Sequence, residues 1–146
     1  MASPVGTLTL CAADGAITAV EWGRVATNDA APVFDQARAE LATYFAGDLT
    51  NFTVPLAPGG GVFQQAFYAA LCAIPYGETR SYGDLAAELG VSAQAIGQAC
   101  GANPIPILIP CHRVLGADGL GGYSGAGGVE TKVALLKLEG AASLLI

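Results

Sequence analysis

Between Pro55 and Gly61 the chain reads PLAPGGG. Proline removes a backbone donor and fixes φ, and glycine carries the largest conformational entropy, so no helix or strand runs through such a stretch. It divides the 146 residues into segments 1–58 and 59–146. Each is small, so the reading is of two small lobes sharing one connection. Hydrophobic residues make up 53% of the chain, enough to build a real core, and the 12% of charged residues argues against long disordered tails.

The first segment opens with a predicted hairpin over Thr7–Trp22. Leu8 and Leu10 alternate with threonines, as a strand with one buried face requires. Asp14-Gly15 is a turn pair that tolerates positive φ, and Ile17, Val20 and Trp22 follow on a less regular second strand. Residues 23–32 are small and polar and read as a loop that includes Pro32. Residues 33–46 then place Phe34, Ala37, Leu41 and Tyr44 on one helical stripe, with Gly47 in the C′ position.

The second segment is mostly helical. Phe63, Phe67, Ala70 and Leu71 predict a helix over 63–73, ended by Pro75 and Gly77. Ser81 caps a short helix over 82–89 with Asp84 as its capping-box partner, and Gly90 stops it. Ser92 caps the next helix, over 93–102. Two short helices joined by a glycine-containing turn are the helix-turn-helix pattern, which many non-binding helical hairpins share. Asn103-Pro104 ends that pair, and a short apolar run from Ile105 to Ile109 leads into Cys111-His112-Arg113. The glycine-rich stretch 116–128 has no periodicity and reads as a loop, and a last helix over 130–138 turns Val133, Leu135 and Leu136 inward. The fold class is therefore α+β.

Six basic against twelve acidic residues give a net charge of −6. Phosphate contacts need Lys and Arg, so this balance argues against a nonspecific nucleic-acid binder. The start of the chain lacks the basic and apolar regions of a signal peptide, and no apolar run reaches membrane-spanning length. Cys11, Cys72, Cys100 and Cys111 form no CxxC pair. Reduced thiols in a cytoplasmic protein are the consistent expectation, with Cys11, Cys72 and Cys100 as small packed hydrophobes. Their spacings match none of the usual zinc-ligand pairs, so no metal site is expected. Neither a phosphate-cradling nor a dinucleotide-binding glycine pattern is present.

The one constellation with chemistry is Cys111 beside His112, the only histidine. A thiol reacts as thiolate, a neighbouring imidazole can take its proton, and a carboxylate can orient the imidazole. On an extended segment adjacent side chains point apart, so a tight turn or a bridging water is required. A packed, unreactive thiol remains open on the local pattern alone.

The run NPIPILIPCHRV resembles the active-site segment of the O6-alkylguanine-DNA alkyltransferases, the methylated-DNA–protein-cysteine methyltransferases. FAGDLTNFTVPL, FQQAFYAALCAIPYGETRSYGDLAAELG, LGGYSG and KVALLKLEG are similar to other parts of the same family, so the resemblance covers essentially the whole chain. It implies a small α/β N-terminal lobe, 1–58, and a winged-helix-like DNA-binding and acceptor lobe, 59–146. It implies a monomer that needs no cofactor, binds double-stranded DNA, rotates the damaged guanine out of the stack, and accepts the alkyl group on Cys111 in a single turnover. O4-alkylthymine is a further implied substrate. By the same resemblance His112 deprotonates Cys111 through water, Glu139 orients His112, Asn103 pins the turn that holds Cys111, and Tyr82 protonates the departing guanine. Gly122, Tyr123 and Ser124 fall in the loop that receives the base. Ser92, Ala93, Gln94 and Ala95, with Arg80, fall on the DNA-facing helix-turn-helix. The whole reading expects Cys111 to be ionised and open to an extruded base.

The sequence departs from the family where it matters for DNA. The position of the arginine that fills the gap left by the base is Gln94, and a second basic position is Gly101, so the helix over 93–102 holds no Lys or Arg. Glutamine is shorter and uncharged, which implies weak duplex binding. Small residues at Ala93, Ala95, Gly97 and Ala99 either seat that helix deep in a groove or merely favour helix formation. Arg80 and Arg113 are the remaining candidate contacts, and Arg113 could equally brace the active-site loop. Two alternatives stay open: a relative that reacts with free alkylated bases or marks lesions but scarcely repairs DNA, and a helix-turn-helix regulator that senses alkylation at a cysteine.

Overall fold

In the computed structural model, residues 1–23, 31–116, 121 and 128–141 are described. The predicted hairpin is β1, Leu8–Ala13, paired antiparallel with β2, Ala16–Trp22. Asp14 and Gly15 turn it with φ of 52° and 79°, the double positive φ that the right-handed twist of a two-residue hairpin selects. A register shift between Cys11 and Ala12 accounts for the irregular second strand. Leu8, Leu10, Ile17 and Val20 face inward.

Helix α1, Pro32–Phe45, covers that face with Val33, Phe34, Ala37, Leu41 and Tyr44. Pro32 belongs to the helix and not to the preceding loop. Ala31 offers no capping side chain, and a proline at the first helical position, pre-set in φ, starts the helix instead. At the far end Asp48 N–H donates to Thr43 O and Gly47 N–H to Tyr44 O, both at 3.0 Å, and Gly47 takes φ of 83°. This is the paired-bond helix end that glycine makes at C′. Glu40 accepts from Thr53 N–H at 2.7 Å and Val54 N–H at 3.1 Å, tying the returning chain to α1. That chain then pairs with β2 through Ile17 N–H to Pro55 O at 2.8 Å and Ala57 N–H to Ile17 O at 2.7 Å.

Helix α2, Val62–Cys72, buries Phe67 and Leu71. Strand β3, Arg80–Ser81, runs straight into α3, Tyr82–Leu89. Ser81 accepts from Asp84 N–H at 2.9 Å while Asp84 accepts from Ser81 N–H at 3.0 Å, closing the predicted capping box. Gly90 ends α3 in the left-handed region. Helix α4, Ala93–Gly101, starts on Ser92, which accepts from Ala95 N–H at 3.1 Å. The 3₁₀ turn Cys111–Arg113 leads into β4, Val114–Leu115, which pairs parallel with β3. Helix α5, Val129–Leu138, buries Thr131, Lys132, Leu135 and Leu136. Val133, expected inside, is only half-buried, because the inward stripe at helical spacing is Lys132, Leu135, Leu136 and Glu139.

Candidate active site

Two successive reversals deliver Cys111. Leu108 N–H donates to Pro106 O at 2.9 Å across Ile107, whose φ is 73°. Cys111 N–H donates to Ile109 O at 2.8 Å across Pro110, at φ −82° and ψ 65°. The first is the strained form of the γ-turn and the second its relaxed inverse. Asn103 fastens both ends of this knot. Its Nδ2 donates to Ile109 O and its Oδ1 accepts from Ile105 N–H, each at 3.0 Å. An amide side chain suits the task because it offers a donor and an acceptor from one group.

The 3₁₀ turn answers the geometric problem that an adjacent Cys-His pair poses. Cys111 and His112 lie on a tight turn, not on an extended strand, and both are buried, at 4% and 0% exposure. Arg113 follows on the same turn.

Glu139 is the centre of a buried cluster. Its Oε2 lies 2.7 Å from His112 Nε2 and accepts from Tyr44 Oη at 2.5 Å and Arg113 Nη2 at 3.1 Å. Its Oε1 accepts from Arg113 Nε at 2.8 Å. Burial pushes the Glu139 carboxyl upward, but the bonds from His112 and Arg113 outweigh it and hold it at about 2. Glu139 is therefore a carboxylate, which can only accept. His112 is held neutral: burial depresses its pKa, and the charges of Arg113 and Lys132 add to the effect, against the pull of Glu139. A neutral imidazole facing a carboxylate must place its proton on Nε2. Nδ1 is then the acceptor nitrogen, buried, with no protein partner among the described residues. An imidazole with its proton fixed on Nε2 by a carboxylate can take a second proton at Nδ1.

Cys111 is not an open thiolate. Burial pushes its thiol upward, while a hydrogen bond from the Asn103 side chain and the charge of Lys132 pull it back only in part. The expectation of an exposed, ionised cysteine is thus corrected. Packing inside the turn makes the resting pair a thiol and a neutral imidazole.

The other expected residues are placed as follows. Tyr82 is the first residue of α3, half-buried. A Cβ at Gly121 would meet the Tyr82 ring at 2.8 Å, so the chain after Cys111 can lie on Tyr82 only as glycine. Arg113 is a brace and not a DNA contact, since Nη1 also donates to Ile74 O at 2.8 Å. Arg80 remains at the surface, on Glu78 and Thr79 O. Ser92, Ala93 and Gln94 are exposed at the start of α4. Ala95 and Ala99 instead line a groove of about 270 Å³ with Phe63 and Tyr68 of α2. Gly122, Tyr123 and Ser124 lie outside the described residues.

Two members of the site were missed from sequence. Tyr44 reads from the sequence as core alone, since nothing local distinguishes it from a packing tyrosine. Lys132, fully buried, donates from Nζ to Val114 O at 2.6 Å and lies 5.8 Å from the centre of the Tyr82 ring. Its signal was present: a lysine on the apolar stripe of α5, two turns before Glu139.

Residues 62–141 match the family described as 6-O-methylguanine DNA methyltransferase, DNA binding domain, and residues 1–58 match its ribonuclease-like domain. The chain belongs to the 6-O-methylguanine DNA methyltransferase family. Within it, the chain is 44% identical to the methylated-DNA–protein-cysteine methyltransferase of Mycolicibacterium paratuberculosis, over 94% of this chain and 88% of that one. It is 51% identical over 110 residues to the enzyme of that name from Methanosarcina acetivorans, covering 73% of this chain and 69% of that one. Among solved structures of the family, Mycobacterium tuberculosis OGT in complex with DNA matches with a TM-score of 0.84 at 43% identity, over 97% of this chain and 92% of that one. The two-lobe α+β architecture is that of the family. Among the described residues no helix is long and apolar enough to cross a membrane, and no group of His, Cys, Asp and Glu could hold a metal ion.

Proposed function

We propose that this protein is a DNA-repair alkyltransferase that moves the alkyl group of O6-alkylguanine, and of O4-alkylthymine, in duplex DNA onto Cys111, once per molecule. The observation that carries the assignment of roles is the buried His112–Glu139 pair, 2.7 Å apart, on the same tight turn as the Cys111 thiol. The thiol proton passes to Nδ1, directly or through water, and Glu139 offsets the positive charge that forms on the ring. Sγ attacks the alkyl carbon, the S–C bond forms, and the C–O6 bond breaks. The guanine anion is a poor leaving group unless protonated, and Tyr82 supplies that proton. The thioether has no route back, so the molecule is spent. Segment 1–58 braces the site through Tyr44, and 59–146 carries the helix-turn-helix and the acceptor. Gly122, Tyr123 and Ser124 receive the extruded base, and Arg80 with the exposed N-terminus of α4 meets the phosphates. The reading fits a monomer working among reduced thiols in the cytoplasm.

A second reading starts from the charge distribution alone, and the similarity to methylated-DNA–protein-cysteine methyltransferases does not favour it. Of the six Lys and Arg, Arg113 and Lys132 are buried in the site, and α4 has none. Under this reading the thiol consumes free alkylated bases faster than lesions in DNA. Incubation with a duplex containing O6-methylguanine, and separately with free O6-benzylguanine, followed by peptide mass analysis, decides between them. Methyl on Cys111 supports repair, benzyl without methyl supports the second reading, and neither adduct rejects both.

A further inference from the structure

A carboxylate oxygen offers about two lone-pair sites, yet Oε2 of Glu139 takes three donors. Oε1 takes one, Arg113 Nε at 2.8 Å. His112 Nε2 at 2.7 Å, Tyr44 Oη at 2.5 Å and Arg113 Nη2 at 3.1 Å therefore compete for the same electron density, and the hydroxyl lies nearest to it. A tyrosine at 1% exposure needs a partner for its hydroxyl, but a backbone carbonyl would meet that need. Tyr76, whose ring packs on Tyr44, takes the Leu138 carbonyl at 3.2 Å. Tyr44 instead reaches from α1, across 95 positions of sequence, to the oxygen that faces the imidazole.

We propose that Tyr44 is a positioning residue for alkyl transfer: by sharing Oε2 of Glu139 with His112, it limits how firmly the ring can hold a proton. The inference rests on Cys111 being the alkyl acceptor and His112 its base. Each donor on a carboxylate oxygen weakens that oxygen as an acceptor for the next, so with Tyr44 in place Glu139 supports an imidazolium less. Burial and the Glu139 charge push the Tyr44 hydroxyl far above its ordinary range, so it acts as a donor throughout. The charged and titratable groups facing the carboxylate and the ring are Tyr44 from α1, Tyr76 from the loop after α2, Arg113 from the turn and Lys132 from α5. Of these, Tyr44 is the neutral donor on Oε2, so removing its hydroxyl alters the acceptor and leaves the charge of the cluster unchanged. The consequence is a resting pair that stays thiol and neutral imidazole, which suits an acceptor used once.

His112 is the only histidine, so its Nε2 proton gives one assignable magnetic resonance. Tyr44→Phe is expected to move that resonance downfield at pH 7, as Oε2 becomes a stronger acceptor. It is also expected to raise, by at least about half a unit, the pH below which benzyl transfer from O6-benzylguanine to Cys111 falls off, because protonated His112 cannot take the thiol proton. Above that limb the variant transfers at least as fast as the wild type, an outcome that a structural loss does not produce. An unmoved resonance, or a rate lowered equally at every pH, overturns the proposal. Should Tyr44→Phe not fold, replacing Tyr44 with 3-fluorotyrosine keeps the ring and makes the hydroxyl a stronger donor. The resonance then moves upfield and the limb shifts to lower pH, and the opposite sign or no change overturns the proposal. Wild-type protein that takes no benzyl group at Cys111 refutes the underlying assignment instead, while the resonance comparison, which needs no transfer, still reads the effect of Tyr44 on the ring.

Discussion

Tyr44→Phe isolates the link between the N-terminal lobe and the acceptor. The ring stays, with its packing against Phe45, Phe52 and Tyr76, and only the hydroxyl is lost. That hydroxyl donates at 2.5 Å to the buried carboxylate of Glu139. A hydrogen bond to a charged, desolvated acceptor contributes about 1.5–3 kcal/mol. The loss falls within that range, because His112 and Arg113 still satisfy Glu139. For a chain of this size it lowers Tm by about 4–10 °C. The pH dependence follows from the sign of the Glu139 shift. A carboxyl held at about 2 stabilises the fold fully above its unfolded pKa of about 4.3 and progressively less as pH falls toward 2. The deficit of Tyr44→Phe is therefore flat from pH 5 to 8 and shrinks below pH 4. Urea titrations of both proteins across that range give the comparison. A deficit under about 0.5 kcal/mol at pH 7, or one that grows on acidification, would falsify the placement of this hydroxyl on an ionised Glu139.

Asn103→Ala removes both fastenings of the Cys111 knot, costs about 2 kcal/mol or more, and slows Cys111 alkylation at least about 10-fold; denaturant midpoints and benzyl-transfer rates measure the two effects. Gln94→Arg is expected to tighten binding to a lesion-containing duplex, and equal affinity and repair rate in both proteins would remove the assigned role of position 94. With so few exposed cations, log Kd against log salt has a slope of about 1–2 for the wild type, and a slope indicating six or more neutralised phosphates contradicts the weak-binding account. Burial raises Glu40, but its bonds from Gln36, Thr53 and Val54 bring it below the ordinary range. Glu40→Gln is thus destabilising by about 1 kcal/mol at pH 7, and the difference fades as pH falls below about 4; chemical denaturation at pH 7 and pH 3 checks it.

Local structure was legible because local rules govern it. The Leu8/Leu10 alternation, the Asp14-Gly15 turn and the stripe from Phe34 to Tyr44 each arise within a few residues, as do the serine caps of α3 and α4, and the structure has them all. The start of α1 differs by one residue from the sequence reading, because Pro32, placed with the loop by composition, itself starts the helix. The site was legible only where resemblance reached. Tyr44 and Glu139 meet across 95 positions of sequence, and no window can register that. The openness of Cys111 was misjudged for a related reason. A reactive thiol is expected in the open, whereas the surrounding chain buries Cys111 on the same tight turn as His112. Lys132 does not stand out in the sequence, because a single charge on an otherwise apolar helical stripe reads as an exposed interruption, whereas the structure buries it.

Ile107 shows where adaptation must come from. A β-branched residue at φ 73° costs roughly 1–3 kcal/mol, an amount that burying its side chain to 1% exposure offsets. Such a conformation survives only when everything around it insists, and Pro106, Pro110 and Asn103 do. The nucleophile is consequently a fixed post, set when the chain folds and not when DNA arrives. What travels during the reaction is the nucleotide, and a protein used only once has no need of a hinge under its acceptor.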